Sequence, residues 1–305
     1  MRKSYSFPWA HPITTGEDLA RDAVDDFAKF FKKDRIEIPI IVDDVEFAVT
    51  RGAGRNTQIV ISRGMAAEVI HSPTVMFFHL LIIGHEIAHV VQLHNDCPWH
   101  EGDDSRSLEM WADFYGSKVM MCLVTFGGEV SKLFKSFFPS RDFGQQLDHL
   151  GNAVGLLTKH VYNNSKNYPH ILTRIGCVQN GVHSFLRKEL KGHPDGWQIS
   201  LIVRIMASKP VHEAIILFGD SQTDETDDIE RSREWHIKKQ DHKLAITPGF
   251  SKRINMHLNT SFIQSEEELE LRRKASEEEL IESGILARSS DGNLCLGPGP
   301  KISDD

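Results

Sequence analysis

Ser72-Pro73-Thr74-Val75-Met76-Phe77-Phe78-His79-Leu80-Leu81-Ile82-Ile83-Gly84-His85-Glu86-Ile87-Ala88-His89-Val90-Val91-Gln92-Leu93 is the stretch whose reading decides the fold. Ser72 offers a hydroxyl to an unpaired helix N-terminus, and Pro73 suits the first helical position, where its missing N–H costs nothing. From Thr74 to Leu93 apolar residues cover nearly every face. A helix apolar all round is buried, so this one belongs in the centre of a domain. His94-Asn95-Asp96-Cys97-Pro98 ends it.

Within the helix, His85-Glu86-Ile87-Ala88-His89 reads H-E-x-x-H. Four residues turn an α-helix by about 400°, so both imidazoles leave one face, one turn apart. That spacing lets two ring nitrogens reach one Zn²⁺ at about 2.0–2.1 Å. Glu86, about 100° round from His85, can reach a water beside the metal without ligating. The bland alternative is a pair of core histidines beside a paired glutamate. Three polar groups among Ile, Leu, Phe and Val are costly to desolvate unless something satisfies them, and a metal with its water would do so.

A catalytic zinc needs a third protein ligand. His94 lies five residues past His89, about 140° round the helix, and no glycine turns the chain back. It is therefore read as a helix C-terminal residue favoured by the dipole. His100, in the following loop, is a further alternative. Glu109, in Leu108-Glu109-Met110-Trp111-Ala112-Asp113, is the better candidate because a chain reversal would pack its helix on the first. Asp113 shares its face at i,i+4 and would accept a hydrogen bond from the outer nitrogen of a ligand histidine. Small Ala112 and Gly116 allow close approach of the helices. The alternative is that both acids are surface charges.

Outward from this centre, Thr15-Gly16-Glu17-Asp18 announces a first helix, with Leu19, Val24, Phe27, Phe30 and Phe31 at helical spacing. Residues 36–42, 45–50 and 57–62 are rich in β-branched residues, and the last two stretches flank Arg51-Gly52-Ala53-Gly54-Arg55-Asn56 as a hairpin. Further helices are expected over 105–123, 145–161, 169–190 and 198–218. Residues 220–230 hold six acids and no base, which reads as a solvated linker. Residues 266–282 offer i,i+4 pairs such as Glu268–Arg272, Glu270–Lys274 and Lys274–Glu278, and Gly297-Pro298-Gly299-Pro300 reads as disordered. The expected class is α+β, mainly helical with a small sheet. Residues 1–219 form the domain, 220–230 a linker, and 231–305 a charged tail, partly helical or disordered.

The 305 residues are 40% hydrophobic, enough for a substantial core, and their net charge of −8 gives no general attraction to nucleic acid or anionic lipid. No run approaches the ~20 apolar residues that span a bilayer, and no apolar segment follows the basic start as in a secretory signal. Cys97, Cys122, Cys177 and Cys295 are scattered, which suits a reducing cytoplasm. These features point away from nucleic-acid and membrane partners.

H-E-x-x-H followed by E-x-x-A-D resembles the gluzincin metallopeptidases of the HtpX type and the soluble Lit-like phage-exclusion peptidases. Asn167-Tyr168-Pro169-His170-Ile171-Leu172-Thr173-Arg174-Ile175 follows in the order these families show, so the resemblance spans roughly residues 70–180. Their last block usually reads His-Pro, with an Arg-Ile pair five residues after the proline. Pro169, Arg174 and Ile175 match, whereas Tyr168 replaces the histidine. The resemblance implies a zincin-like domain with one Zn²⁺ held by His85, His89 and Glu109, Asp113 behind the ligands, and a protein or peptide substrate, with phage defence as one setting. Glu86 would be the general base of peptide hydrolysis. Tyr168, Arg174 or His170 would stabilise the oxyanion, and the sheet edge near 57–62 would hold an extended peptide. Two other classes compete. One is a zinc-binding regulatory protein without turnover, which the intact Glu86 argues against. The other is a metal-free helical interaction protein working through its acidic segment.

Overall fold

The computed structural model describes residues 14–32, 36–96, 104–140, 142–163, 168–190, 196–219, 226–241, 249–259, 286–289 and 294–296, with 274, 278 and 281. The described part is mainly helical with a small mixed sheet, an α+β arrangement. In chain order the elements are α1 (Gly16–Ala28), β1 (Ile40–Asp43), β2 (Ala48–Arg51), β3 (Gln58–Ser62), α2 (Arg63–Ala67), α3 (Pro73–Val91), α4 (Asp104–Phe126), α5 (Glu129–Phe137), α6 (Phe143–His160), α7 (Ile171–Glu189), α8 (Trp197–Ala207), α9 (Lys209–Phe218), α10 (Thr226–Asp241), α11 (Lys252–Leu258), β4 (Leu286–Arg288) and β5 (Leu294–Leu296).

Helix α3 begins as its sequence dictates: Ser72 is the N-cap, its Oγ accepts from the Val75 N–H at 3.3 Å, and Pro73 opens the helix. It lies against α1, α4, α6 and β2. Among the described residues, α3 alone is long and apolar enough to cross a membrane, which the sequence reading did not count, and 83% of that stretch is buried within the fold. Thr15 and Asp18 close a capping box at the start of α1.

Glycines bring α3 and α4 together. A Cβ on Gly84 would lie 2.4 Å from the Gly116 carbonyl oxygen, and one on Gly116 would lie 2.5 Å from the His85 nitrogen. Main chain therefore meets main chain at the level of the H-E-x-x-H turn.

In the three-stranded sheet the order is β1-β3-β2, with β1 parallel and β2 antiparallel to β3. The stretch 57–62, expected at an edge, is thus central, and β1 and β2 are the two edges. Three consecutive core residues, Ile59, Val60 and Ile61, are fully buried, the unbroken apolar run of a strand covered on both faces. A second, two-stranded antiparallel sheet pairs β4 with β5.

Three further expectations need correction. The helix expected over 198–218 is two, α8 and α9, broken at Ser208, whose backbone is extended ahead of Pro210. Pro169 does not open α7: His170 is the N-cap, its Nδ1 accepting from the Leu172 N–H, so the proline lies outside the helix. Of the acidic stretch 220–230, residues 220–225 lie outside the described part, and 226–230 are the first turns of α10. This helix packs on α4, buries Trp235 and His236, and pairs Asp228 with Arg106 at 3.4 Å. Phe250 then stacks on Phe31 with centroids 4.3 Å apart, and α11 lies on α4 and α7. Beyond residue 219, α10, Phe250 and α11 therefore return to the core. The helix expected over 266–282 and Gly297-Pro298-Gly299-Pro300 fall outside the described residues, apart from 274, 278 and 281.

Candidate metal centre

His85 and His89 leave α3 towards α4, and Glu109 meets them from the first turns of α4. Their three donor atoms lie within 4.8 Å of one another. His85 Nε2 is 3.0 Å from His89 Nε2 and 3.2 Å from Glu109 Oε2, and His89 Nε2 is 3.5 Å from Glu109 Oε1. Ligands about 2.0–2.1 Å from a tetrahedral zinc stand roughly 3.3 Å apart, so the triad has the dimensions of one face of such a site.

Asp113, one turn beyond Glu109, takes the outer nitrogen of His85: Nδ1 lies 2.9 Å from Asp113 Oδ1. That bond places the remaining lone pair of a neutral His85 on Nε2, facing the triad. Asp113 is itself clamped from α7. Arg174 donates through Nε to Oδ2 at 2.6 Å and through Nη2 to Oδ1 at 3.1 Å, with Glu109 Oε2 3.7 Å away. Tyr162 donates to Asp113 Oδ1 at 3.4 Å, and its ring lies under the guanidinium, 4.2 Å from Cζ. Arg174, expected at the oxyanion, has both of these nitrogens committed to Asp113.

Glu86 is buried and lines the same cavity. The Thr50 hydroxyl of β2 donates to Glu86 Oε2 at 2.8 Å and lies 3.1 Å from the Glu86 carbonyl oxygen. The cavity, about 230 Å³, is bounded by β2, the motif turn of α3, the end of α6 and Tyr168. Tyr168 is 37% exposed at its rim, with its ring 5.3 Å from Arg174 Cζ. The nearby Glu109 charge, aided by partial burial, raises the Tyr168 phenol above its ordinary value, so the hydroxyl remains a donor. His170, spent on capping α7, is not among the cavity residues.

The electrostatics favour a cation. By formal charge Glu86, Glu109 and Asp113 face a single guanidinium, a local excess of two negative charges in a largely buried site. Burial opposes a charge on His85, yet Asp113 and Glu109 outweigh it and raise its pKa to about 10. Burial would also raise Glu109, but His85, His89 and Arg174 hold it down at about 2. Burial lowers His89 below its ordinary value, against the pull of Glu109. Without a metal, His85 thus holds a proton where the carboxylates call for positive charge.

His94 departs from its reading as a terminal helix residue. Leu93 takes φ 53°, the left-handed conformation usually left to glycine, and turns the chain back. His94 is buried, its Nδ1 2.7 Å from His89 Nδ1, on the side away from the triad. Its Nε2 is 3.4 Å from His236 Nε2 of α10. His100 lies outside the described residues. The sequence reading missed Thr50, Tyr162 and the role of His236. Each meets the site across long sequence separations, and no local spacing marks any of them.

No protein-family model, curated protein or solved structure matches this chain. The geometry of the site therefore carries the functional argument.

Proposed function

We propose that this chain is a zinc-dependent endopeptidase with a zincin-like domain. The observation that carries the reading is the convergence of His85, His89 and Glu109 at ligand spacing, beside a buried Glu86 fixed by Thr50. The donor set, two imidazoles and a carboxylate, is that of a catalytic zinc with an open position, and the local excess of negative charge matches a divalent ion. Held there, zinc would polarise a carbonyl and lower the pKa of a water towards ~7.

The chain's own residues do the rest. Glu86 accepts a proton as the water oxygen adds to the scissile carbonyl carbon, and returns it to the amine nitrogen as the C–N bond breaks. Thr50 holds one carboxylate oxygen, leaving the other to take the proton. Tyr168 keeps its hydroxyl proton and donates to the oxyanion from the rim. Asp113, Arg174 and Tyr162 orient His85 and take no proton.

An extended substrate finds its place on β2. The Phe47 carbonyl accepts from the Ser62 N–H, so Phe47 and Val49 face β3, whereas the Thr50 carbonyl faces outward and accepts from Asn95. Ala48 then turns its N–H and C=O to the same outer side, beside the cavity. A peptide added there as a strand would lie against Glu86.

The test compares new protein termini in cells expressing wild type and Glu86→Gln, whose amide is nearly isosteric but takes no proton. The proposal expects termini present with wild type and absent with the variant. Identical termini, with zinc bound in both proteins, would leave the site as a zinc-holding regulatory device without turnover.

A further inference from the structure

We propose that α10 fixes the tautomer of His89 through a relay of buried histidines, His236–His94–His89, and so belongs to the metal centre. The inference rests on the metal-binding reading of His89 and adds two positioning residues to it.

The relay starts at a group with no choice. The Ser232 carbonyl oxygen can only accept, and His236 Nδ1 lies 2.6 Å from it, so that nitrogen carries the proton. In a neutral ring, His236 Nε2 is then an acceptor. Its neighbour at 3.4 Å, His94 Nε2, must donate to it. That leaves His94 Nδ1 as an acceptor, 2.7 Å from His89 Nδ1. His89 consequently carries its proton on Nδ1 and presents the Nε2 lone pair towards His85 and Glu109, the form a ligand needs. The assignment propagates through three rings from one main-chain oxygen.

His236 is fully buried and His94 nearly so. Trp235 lies edge-on to His94 with centroids 5.1 Å apart, and Trp111 lies 5.1 Å from His236. Leu93 carries its left-handed backbone at the point that turns His94 inward, and Asn95, next to it, is tied to Thr50 of β2. Asp113 serves His85 in the same way, so each histidine of the motif has its outer nitrogen assigned, one by a carboxylate and the other by a chain of rings.

The experiment uses the full-length protein with ¹⁵N-labelled histidine. Two-bond ¹H–¹⁵N spectra of the metal-free form distinguish Nδ1–H from Nε2–H at each ring. The expected pattern is Nδ1–H at His89, Nε2–H at His94 and Nδ1–H at His236; Nε2–H at His89 or Nδ1–H at His94 would overturn the relay. Zinc affinity, measured by competition with a chromophoric chelator, is the second readout. His94→Phe keeps a ring without nitrogens and is expected to weaken binding ~10–100-fold, the scale of an outer-shell loss. His94→Gln, whose amide can accept from His89 and donate to His236, is expected to recover most of it. His236→Phe should leave His94 and His89 as tautomer mixtures. Equal zinc affinity in His94→Phe and wild type would refute the inference. If His94→Phe fails to fold, wild-type spectra and His94→Gln still decide. Wild type that binds no zinc yet shows the expected tautomers would refute the metal reading instead, so the two failures are separable.

Discussion

Gly116→Ala tests whether close approach of α3 and α4 builds the site. The added Cβ would lie 2.5 Å from the His85 nitrogen and 2.7 Å from both His85 Cα and the Gly84 carbonyl carbon, whereas ordinary contact begins at 3.4 Å. All three neighbours are main chain, so no side chain can swing away, and the helices must part by about 0.9 Å, the shortfall at the closest atom. Glu109 and Asp113 ride on the displaced helix. The Glu109 contacts to His85 and His89, 3.2 and 3.5 Å, would lengthen towards 4 Å and beyond. Metal–ligand distances tolerate only about 0.2 Å, so zinc affinity should fall by at least the ~10–100-fold of an outer-shell loss. Overpacking costs about 1–3 kcal/mol, and at roughly 2 °C per kcal/mol for a chain of this size the metal-free Tm should drop by about 2–6 °C. Chelator competition and thermal melts, with and without zinc, read both effects. Gly176→Ala on α7 is the control: its Cβ would meet nothing within 4 Å, so zinc binding should be unchanged and stability equal or higher by about 0.4–1 kcal/mol. If Gly116→Ala binds zinc like wild type and melts within a degree of it, close approach does not position the ligands.

Three other perturbations separate the roles of the surrounding residues. Arg174→Met leaves Asp113 and Glu109 buried without their guanidinium and should destabilise the metal-free protein by about 3–5 kcal/mol; a loss below 1 kcal/mol in chemical denaturation would show that the clamp is not structural. Thr50→Val removes the donor to Glu86 Oε2, so kcat should fall while zinc stoichiometry stays at wild-type level, and unchanged turnover would detach Thr50 from the base. Tyr168→Phe keeps the ring and removes the hydroxyl: kcat should fall ~10²–10³-fold with zinc retained, and full activity would exclude the tyrosine from the oxyanion.

The sequence disclosed the centre of this fold more fully than its periphery, for a physical reason. The start of α3, its burial, the shared face of His85 and His89 and the pairing of Glu109 with Asp113 all follow from helical spacing, which a linear sequence displays directly. The close contact at Gly116 was legible as well, because a small residue opposite a motif has few other uses. The edge strand was misplaced because β2 and β3 are both rich in β-branched residues, and only their burial separates edge from centre. Thr50 reaches Glu86 across 36 positions and His236 reaches His94 across 142, separations that no local pattern marks. His94 was misread because a left-handed turn was expected only of glycine, whereas Leu93 adopts it. Acid content hid α10: the charges of its first turns suggested a linker, although Trp235 and His236 further along are buried where α10 packs on α4, with their rings against His94.

The measurement that bears most directly on the account is elemental analysis of the purified full-length protein beside its His85→Ala/His89→Ala double variant. The account predicts one zinc per chain in wild type and none in the variant, with the variant still folded by circular dichroism. Zinc at full occupancy in the folded double variant would contradict it, because the metal would then be held by residues other than the H-E-x-x-H turn.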